Sequence, residues 1–305
     1  MKYLKFIFIS VMSLCSYVSL AQQDPMYTQY MFNGLAINPG FTGAHESISL
    51  TAGTRVQWTG TQSEKPVTHT FSVHAPLATE RVAIGATVIA DQIGYTHRNM
   101  FMFSGAYRIP VGLGKLSFGM SGGLMTFNTE TVDAKDADDP LNQDLGTITR
   151  PEIGAGIFYH SDRFFMGFSI PSLMNNSIDD NDATMPYFNF KRHYFAYSGY
   201  VFKISEDLQF KPNVLFKFVE GAPMQLDLNA NFLFYEKFGV GASYRSLDAF
   251  SIIAELQLPK PFFRIGYSYD LAHTNLFSQQ YGTHEIVLNY RFGIKKNILL
   301  TPRYF

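Results

Sequence analysis

The feature that most constrains the fold is a series of segments in which apolar and polar residues alternate. The connections between these segments are alternately short and long. From about Ser47 to Phe292, stretches of roughly ten residues switch between apolar and polar side chains at every position. Side chains of a β-strand point to opposite faces with a period of two, so each stretch predicts a strand with one oily face. Outer-membrane barrels combine such strands with tight turns at one end and long loops at the other. The pattern therefore predicts an all-β fold, a transmembrane antiparallel β-barrel.

The clearest strand is Met224–Phe234, in which the even-numbered positions are apolar and Gln225, Asp227, Asn229 and Asn231 are polar. Taken alone, this strand fits a soluble sheet as well as a membrane barrel. The whole chain predicts about fourteen strands, an even number as in bacterial single-chain barrels. They lie near residues 47–58, 66–74, 82–93, 98–109, 114–127, 151–161, 163–170, 191–203, 207–218, 223–234, 237–246, 249–258, 261–271 and 283–292.

The connections predict the orientation of the barrel. If the first strand runs outward, the even connections face the periplasm, and all of them are short: 75–81, 110–113, 161–162, 205–206, 235–236 and 259–260. The three long connections are all odd and are expected on the extracellular side. They are Asn128–Arg150, Pro171–Phe190 and Ala272–Gly282.

The N-terminus reads as a secretory signal peptide. Met1–Ala21 has two early lysines, an apolar middle and a small-residue cleavage site at Ser19-Leu20-Ala21. A lipoprotein interpretation of Cys15 fits poorly, because the bulky Leu14 precedes it. Cleavage after Ala21 would remove this single cysteine and leave no thiol chemistry. We therefore predict four regions: a signal peptide (1–21), an N-terminal segment (22–46), the barrel (47–292) and a tail (293–305).

Composition agrees with a barrel and excludes several functions. Hydrophobic residues make up 46% of the chain, with 29 Phe, 18 Tyr and 1 Trp, yet no stretch after the signal peptide has the ~18 apolar residues of a membrane helix. The net charge of -1 gives no reason to expect a nucleic-acid partner. The charges predicted to face the lumen are of both signs, which favours pairing and a plugged lumen over an ion-selective pore. They are Asp227, Arg245, Glu255, Arg264, Asp270, Glu285 and Arg291.

The sequence offers no strong motif for catalysis or metal binding. It contains no HExxH, and its GxSxG run, Gly119–Gly123, lies inside a predicted strand rather than at a strand-to-helix turn, so we expect no enzyme activity and no cofactor. The acidic segments Asp133–Asp139 and Asp179–Asp182 carry oxygen ligands that suit calcium, but they lack the EF-hand spacing. Solvated loops are the simpler interpretation of both segments.

The N-terminal segment differs from the rest, because it is rich in amides and aromatic residues and has no clean period. A short helix over Tyr27–Asn33, ended by Gly34, and a turn at Asn38-Pro39-Gly40 are predicted. The segment is interpreted either as a plug or lid that packs on the barrel mouth, or as a docking surface for a partner. The predicted topology puts it on the periplasmic side.

This segment carries a resemblance to a known family. The run DPMYTQYMFNGLAINPGFTG, followed by Arg55-Val56-Gln57-Trp58 and by Thr70–Leu77, resembles the PorP/SprF family of Bacteroidetes outer-membrane proteins. The resemblance covers the whole chain. One departure is Gly40-Phe41-Thr42-Gly43, where the family often has Ala-Tyr-x-Gly.

The resemblance implies a role in type IX secretion and gliding motility. It implies a non-enzymatic receptor or surface anchor for a large, adhesin-like cargo, recognised through its C-terminal sorting domain, with other secretion or motility components and outer-membrane lipid as further contacts. A passive porin, a transporter of small hydrophobic molecules and a structural tether remain alternatives; inward-facing Phe195, Tyr197, Val201 and Leu215 would supply part of an apolar path. The residues predicted to contact a partner are Tyr27, Gln29, Tyr30, Met31, Asn33, Asn38, Pro39, Arg55, Trp58, Asp136, Asp138, Asp139, Asp179 and Asp180.

Overall fold

Fourteen antiparallel strands form one closed sheet in the computed structural model, which describes residues 25–60, 65–77, 80–129, 146–175, 177–178, 188–246, 248–259, 262–272 and 281–293. The predicted signal peptide and the tail beyond residue 293 lie outside these residues. The barrel strands are β1 Ile48–Val56, β2 Val67–Pro76, β3 Val82–Ile93, β4 Thr96–Val111, β5 Gly114–Thr129, β6 Ile148–His160, β7 Phe164–Ile170, β8 His193–Tyr200, β9 Leu208–Val219, β10 Gln225–Phe234, β11 Phe238–Arg245, β12 Ala249–Pro259, β13 Phe262–Ala272 and β14 Thr283–Phe292.

Neighbouring strands along the chain pair with each other, and one further pairing, between the first and the last strand, completes the sheet. β7 pairs with β8, and β8 pairs with β9. β1 pairs with β14 from Ile48↔Phe292 to Val56↔His284, so the first and last strands close the barrel. Short strands also occur at Phe202–Lys203, which pairs with β9, and at Ser177–Ile178 and Phe188–Asn189, which pair with each other. The predicted barrel of about fourteen strands is confirmed, with ends that differ from the predicted ones by a few residues.

Burial along the strands is the reverse of that in a soluble protein. In β10, Asp227 and Asn229 are 4% exposed, whereas Leu228 is 47% exposed. The polar face therefore lines the interior, and the apolar face forms the outer wall that meets lipid. Among the described residues, no helix is long and apolar enough to span a membrane.

The two ends of the barrel differ in their connections. We call the end at which the even-numbered strands end the tight-turn rim; the next strand begins there at Val82, Gly114, Phe164, Leu208, Phe238 and Phe262. We call the opposite end, at which the odd-numbered strands end, the long-connection rim; the next strand begins there at Val67, Thr96, Ile148, His193, Gln225, Ala249 and Thr283.

Inside the barrel lies the N-terminal segment, residues 25–47, which we call the plug. It contains three short helices, Tyr30–Phe32, Gly34–Ile37 and Pro39–Phe41. The prediction of a single helix ended by Gly34 is wrong, because Gly34 begins the second helix. A Cβ atom on Gly34 would lie 2.6 Å from the Phe41 ring, so this glycine permits close packing within the plug rather than ending a helix.

Candidate functional site

The plug begins at the long-connection rim, where its backbone is held by one carboxylate of β14. The Thr28 N–H donates to Oε2 of Glu285 at 2.8 Å, and the Gln29 N–H donates to Oε1 of the same residue at 3.0 Å. The Gln29 side chain also donates to the Glu285 carbonyl oxygen at 3.1 Å. Glu285 is the third residue of β14, so these contacts fix where the plug enters the lumen.

Arg55 connects this carboxylate to a second one. Its Nη1 lies 2.9 Å from Glu285, its Nη2 lies 2.7 Å from Asp270, and Nη1 also donates to the Thr28 hydroxyl at 3.0 Å. That hydroxyl donates in turn to Asp270 at 2.8 Å. All four residues are buried. We call Thr28, Arg55, Asp270 and Glu285 the rim clamp, in which buried charges of opposite sign are paired and hydrogen-bonded, as burial of charge requires.

On β10 and β11, a second ion pair contacts the start of the plug. Arg245 Nε donates to Asp227 at 2.9 Å, and its Nη2 donates to the Tyr27 carbonyl oxygen at 3.2 Å. Two residues after Asp227 on the same strand, Asn229 donates to the Tyr30 hydroxyl at 3.1 Å. Burial, with the neighbouring Asp227 carboxylate, raises the pKa of the Tyr30 phenol far above its usual range, so it is neutral.

In the middle of the lumen, two plug asparagines bind opposite walls. Asn33 donates to the Thr70 hydroxyl at 3.2 Å and accepts from the Ser72 hydroxyl at 2.8 Å. Asn38 donates to the Ile157 carbonyl oxygen at 3.0 Å and to the Tyr197 hydroxyl at 3.1 Å. The side-chain oxygen of Asn38 also accepts from the Gly40 N–H, which caps the third helix. The plug therefore spans the lumen.

An apolar cluster fills the space between these polar contacts. Phe41 packs on Phe158 with ring centroids 5.1 Å apart, and Tyr30 lies edge-on to Tyr197 at 6.4 Å. Of the side chains that an apolar path would need, Phe195, Tyr197 and Leu215 do face inward, but they belong to this cluster. Val201 is also buried. The apolar surface of the described lumen wall is covered by the plug in this region.

Toward the tight-turn rim the plug is anchored again before it enters β1. Arg108 donates to the Gly43 carbonyl oxygen at 2.6 Å, and the Gly43 N–H donates to Nδ1 of His74 at 3.0 Å. Lys115 pairs with Glu46. The chain thus enters at one rim, passes through the lumen and leaves at the other. The predicted topology puts the segment on the side of the tight turns, whereas the plug starts at the opposite rim and reaches the tight-turn rim only at its end.

Two further lumen cations, Lys211 and Arg264, lie beside the aromatic ring of Phe32. Glu255 lies 3.3 Å from Lys211 and 3.1 Å from Arg264. The Arg264 guanidinium lies 4.9 Å from the Phe32 ring centroid, a cation–π distance. All seven charges predicted to face the lumen are buried there, which confirms this part of the sequence analysis.

The structure separates the predicted partner-binding residues into groups. Gln29, Tyr30, Met31, Asn33, Asn38 and Pro39 are buried in the lumen together with Arg55, and Tyr27 is half-buried beside them. Trp58 is 38% exposed at the long-connection rim. Asp136, Asp138, Asp139, Asp179 and Asp180 lie outside the described residues.

Sequence reasoning missed the partners of the plug. The alternation of apolar and polar residues correctly predicted that Asp270 and Glu285 face the lumen. It did not predict that Thr28 and Gln29 would bind these carboxylates. Contact between the buried plug residues and a partner protein stays a prediction, and it would require the plug to leave the lumen. Among the described residues, no cluster of His, Cys, Asp or Glu is arranged to hold a metal ion.

Comparison with known proteins identifies the chain. The family model described as type IX secretion system membrane protein PorP/SprF matches residues 19–290. The monoaromatic hydrocarbon channel CymD is 13% identical, with 86% of this chain and 93% of that chain covered and a TM-score of 0.53. Omp33, an outer-membrane protein of Acinetobacter baumannii, is 11% identical, with 81% and 100% covered and a TM-score of 0.47. The comparison with curated proteins found no match. At 13% identity the similarity to CymD supports the barrel fold alone.

Proposed function

Because this chain belongs to the PorP/SprF family of type IX secretion system membrane proteins and forms an outer-membrane barrel, we propose that it is a receptor or surface anchor for a large secreted protein. The cargo is held through its C-terminal domain at the long-connection rim, and the barrel itself carries out no reaction. Other secretion or motility components dock on the tight-turn rim. The observation that carries the proposal is the plug, which fills the lumen from rim to rim.

A filled lumen favours a binding role over the two transport alternatives. A passive porin needs an open channel with a charged constriction. Here the inward charges Asp227, Glu255, Asp270 and Glu285 are paired with Arg or Lys partners, and several of those pairs also hold the plug. A transporter of small hydrophobic molecules needs an apolar path, and the apolar lumen wall around Tyr197 is packed against plug aromatics.

Two aromatic side chains at the long-connection rim suit a protein partner. Trp58 is 38% exposed and Tyr281 is 77% exposed. Two backbone hydrogen bonds join the segments that carry them, from Thr59 N–H to the Gly282 oxygen at 2.8 Å and from Tyr281 N–H to the Thr59 oxygen at 2.6 Å. Aromatic residues on a rigid support are frequent energetic centres of protein interfaces. We therefore propose Trp58 and Tyr281 as cargo contacts.

The test is affinity purification of the mature protein from its own outer membrane in mild detergent, followed by mass spectrometry. We expect recovery of a large secreted protein. When a cross-linker is added before purification, the cross-links should map to the C-terminal domain of that protein. Trp58→Ala with Tyr281→Ala should reduce that recovery, whereas the lipid-facing control Phe103→Ala should not. Recovery of the barrel alone, together with stable conductance in a planar bilayer, would leave a porin as the better explanation.

A further inference from the structure

The outer wall carries a groove that the proposed function does not use. It has a volume of about 360 Å³, and the residues that line it lie on five neighbouring strands, β5 to β9. Its floor is formed by Ala196 and Ser198, the two small outward-facing side chains in the middle of β8. Its two sides are the large residues directly opposite on β7 and β9, namely Met166, Phe168, Val214 and Phe216.

The size of the groove suits one small ligand. Its volume of about 360 Å³ lies within the ~300–1,000 Å³ of small-ligand pockets. The groove opens on the apolar outer wall, where the hydrocarbon of the membrane supplies acyl chains as the available ligands.

The chemistry of the groove also suits an acyl chain. The hydroxyl on its floor, that of Ser198, donates to the Phe165 carbonyl oxygen at 3.0 Å. This donor is therefore satisfied without a hydrogen bond to a ligand. A partner strand would need an unpaired sheet edge, but β8 is paired on both sides. Met166, Phe168 and Phe216 remain between 41% and 51% exposed, so they offer apolar surface to the membrane. We propose that this groove binds one acyl chain of an outer-membrane lipid as an ordered ligand.

Position gives this lipid a structural role. On the lumen side of the groove, Gly167 has no side chain, and a Cβ atom there would lie 2.5 Å from the ring of Tyr197. The Tyr197 hydroxyl accepts the hydrogen bond from the plug residue Asn38. The bound chain therefore covers the outer side of the wall at the point where the Tyr197 ring and, through it, the plug are attached on the lumen side.

The experiment uses the mature protein in vesicles of phosphatidylethanolamine and phosphatidylglycerol that contain a phosphatidylethanolamine with a photoreactive diazirine in one acyl chain. After illumination, mass spectrometry maps the labelled peptides. Ala52 provides the matched control, because it is an outward alanine on β1, seven strands away, between Phe71 and Leu288. We expect several-fold more label on β7–β9 than around Ala52.

Variants then test whether the groove itself is responsible. Ala196→Phe fills the groove and should reduce labelling of β7–β9 to the level around Ala52, whereas Ala52→Phe should leave β7–β9 labelling unchanged. Should Ala196→Phe fail to fold, Ala196→Leu provides a smaller filling side chain, and the wild-type distribution remains informative. Equal labelling around the barrel, or enriched labelling that persists when the groove is filled, would overturn the proposal.

Discussion

Replacing Glu285 by Gln should loosen the start of the plug while leaving the barrel closed. The carboxylate has two oxygens, and each accepts one plug backbone N–H, from Thr28 and from Gln29. Glutamine keeps one oxygen and turns an NH₂ group toward the other N–H. One charge-assisted bond is lost, at about 1.5–3 kcal/mol, and a buried donor is left without an acceptor, at about 1–3 kcal/mol.

The two terms sum to about 2.5–6 kcal/mol, and we use the ~3–5 kcal/mol found when a buried charged partner is removed, which lies within that range. Since about 1.4 kcal/mol corresponds to a factor of ten, the open population at the start of the plug rises between about one hundred and a few thousand fold. Hydrogen–deuterium exchange reads this population directly, because amide exchange follows local opening. The informative peptide spans residues 25–32.

Glu152→Gln is the matched control. Glu152 is also a buried carboxylate that faces the lumen, and it accepts from the backbone N–H groups of Ile153 at 3.1 Å and Met174 at 3.2 Å rather than from the plug. Both bonds go to Oε1, an oxygen that glutamine keeps, so this variant should leave exchange of peptide 25–32 unchanged. If Glu285→Gln leaves exchange of that peptide as slow as in the wild type, the rim clamp does not hold the plug and the reasoning is refuted.

Two further predictions concern the plug. Gly119→Ala should destabilise the barrel by about 1–3 kcal/mol, because a Cβ atom there would lie 2.3 Å from the Pro39 backbone. Gly122→Ala is the control and should not destabilise the barrel, because a Cβ atom there would have nothing within 4 Å. Thermal unfolding followed by gel mobility compares the two variants, and equal unfolding midpoints would contradict the packing argument. An epitope inserted directly before Pro25 should bind antibody on intact cells, since the long connections of such barrels face outward, whereas one in the 112–113 turn should bind only after permeabilisation; the reverse pattern would show the opposite orientation.

The barrel could be predicted from the sequence because each strand carries its own signal. In β10, the alternation of Leu226, Leu228 and Phe232 with Asp227 and Asn229 is local, and it predicts both the strand and the inward face. Lipid outside and a polar interior make that alternation obligatory along the wall. The mixed signs of the inward charges also predicted a filled lumen correctly.

The path of the plug could not be predicted in this way. Its contacts join residues far apart in the chain, as in the bond between Thr28 and Glu285, which are separated by 257 positions. The segment has no period, because it touches strands all around the lumen rather than one flat surface. Gly34 shows the same limit, since the ring that requires a glycine there belongs to Phe41 and is brought close only by folding.

The route of the plug constrains the order in which the molecule can assemble. The segment lies inside a sheet that is sealed where β1 meets β14, and Glu285 of β14 is both part of that seam, opposite Arg55, and a ligand of the plug backbone. A sealed cylinder offers no simple way to thread a chain that enters at one rim and continues into β1 at the other. The strands must therefore assemble around the segment, which acts as a template. Pairing of β1 with β14 and enclosure of the plug then occur in the same step of biogenesis.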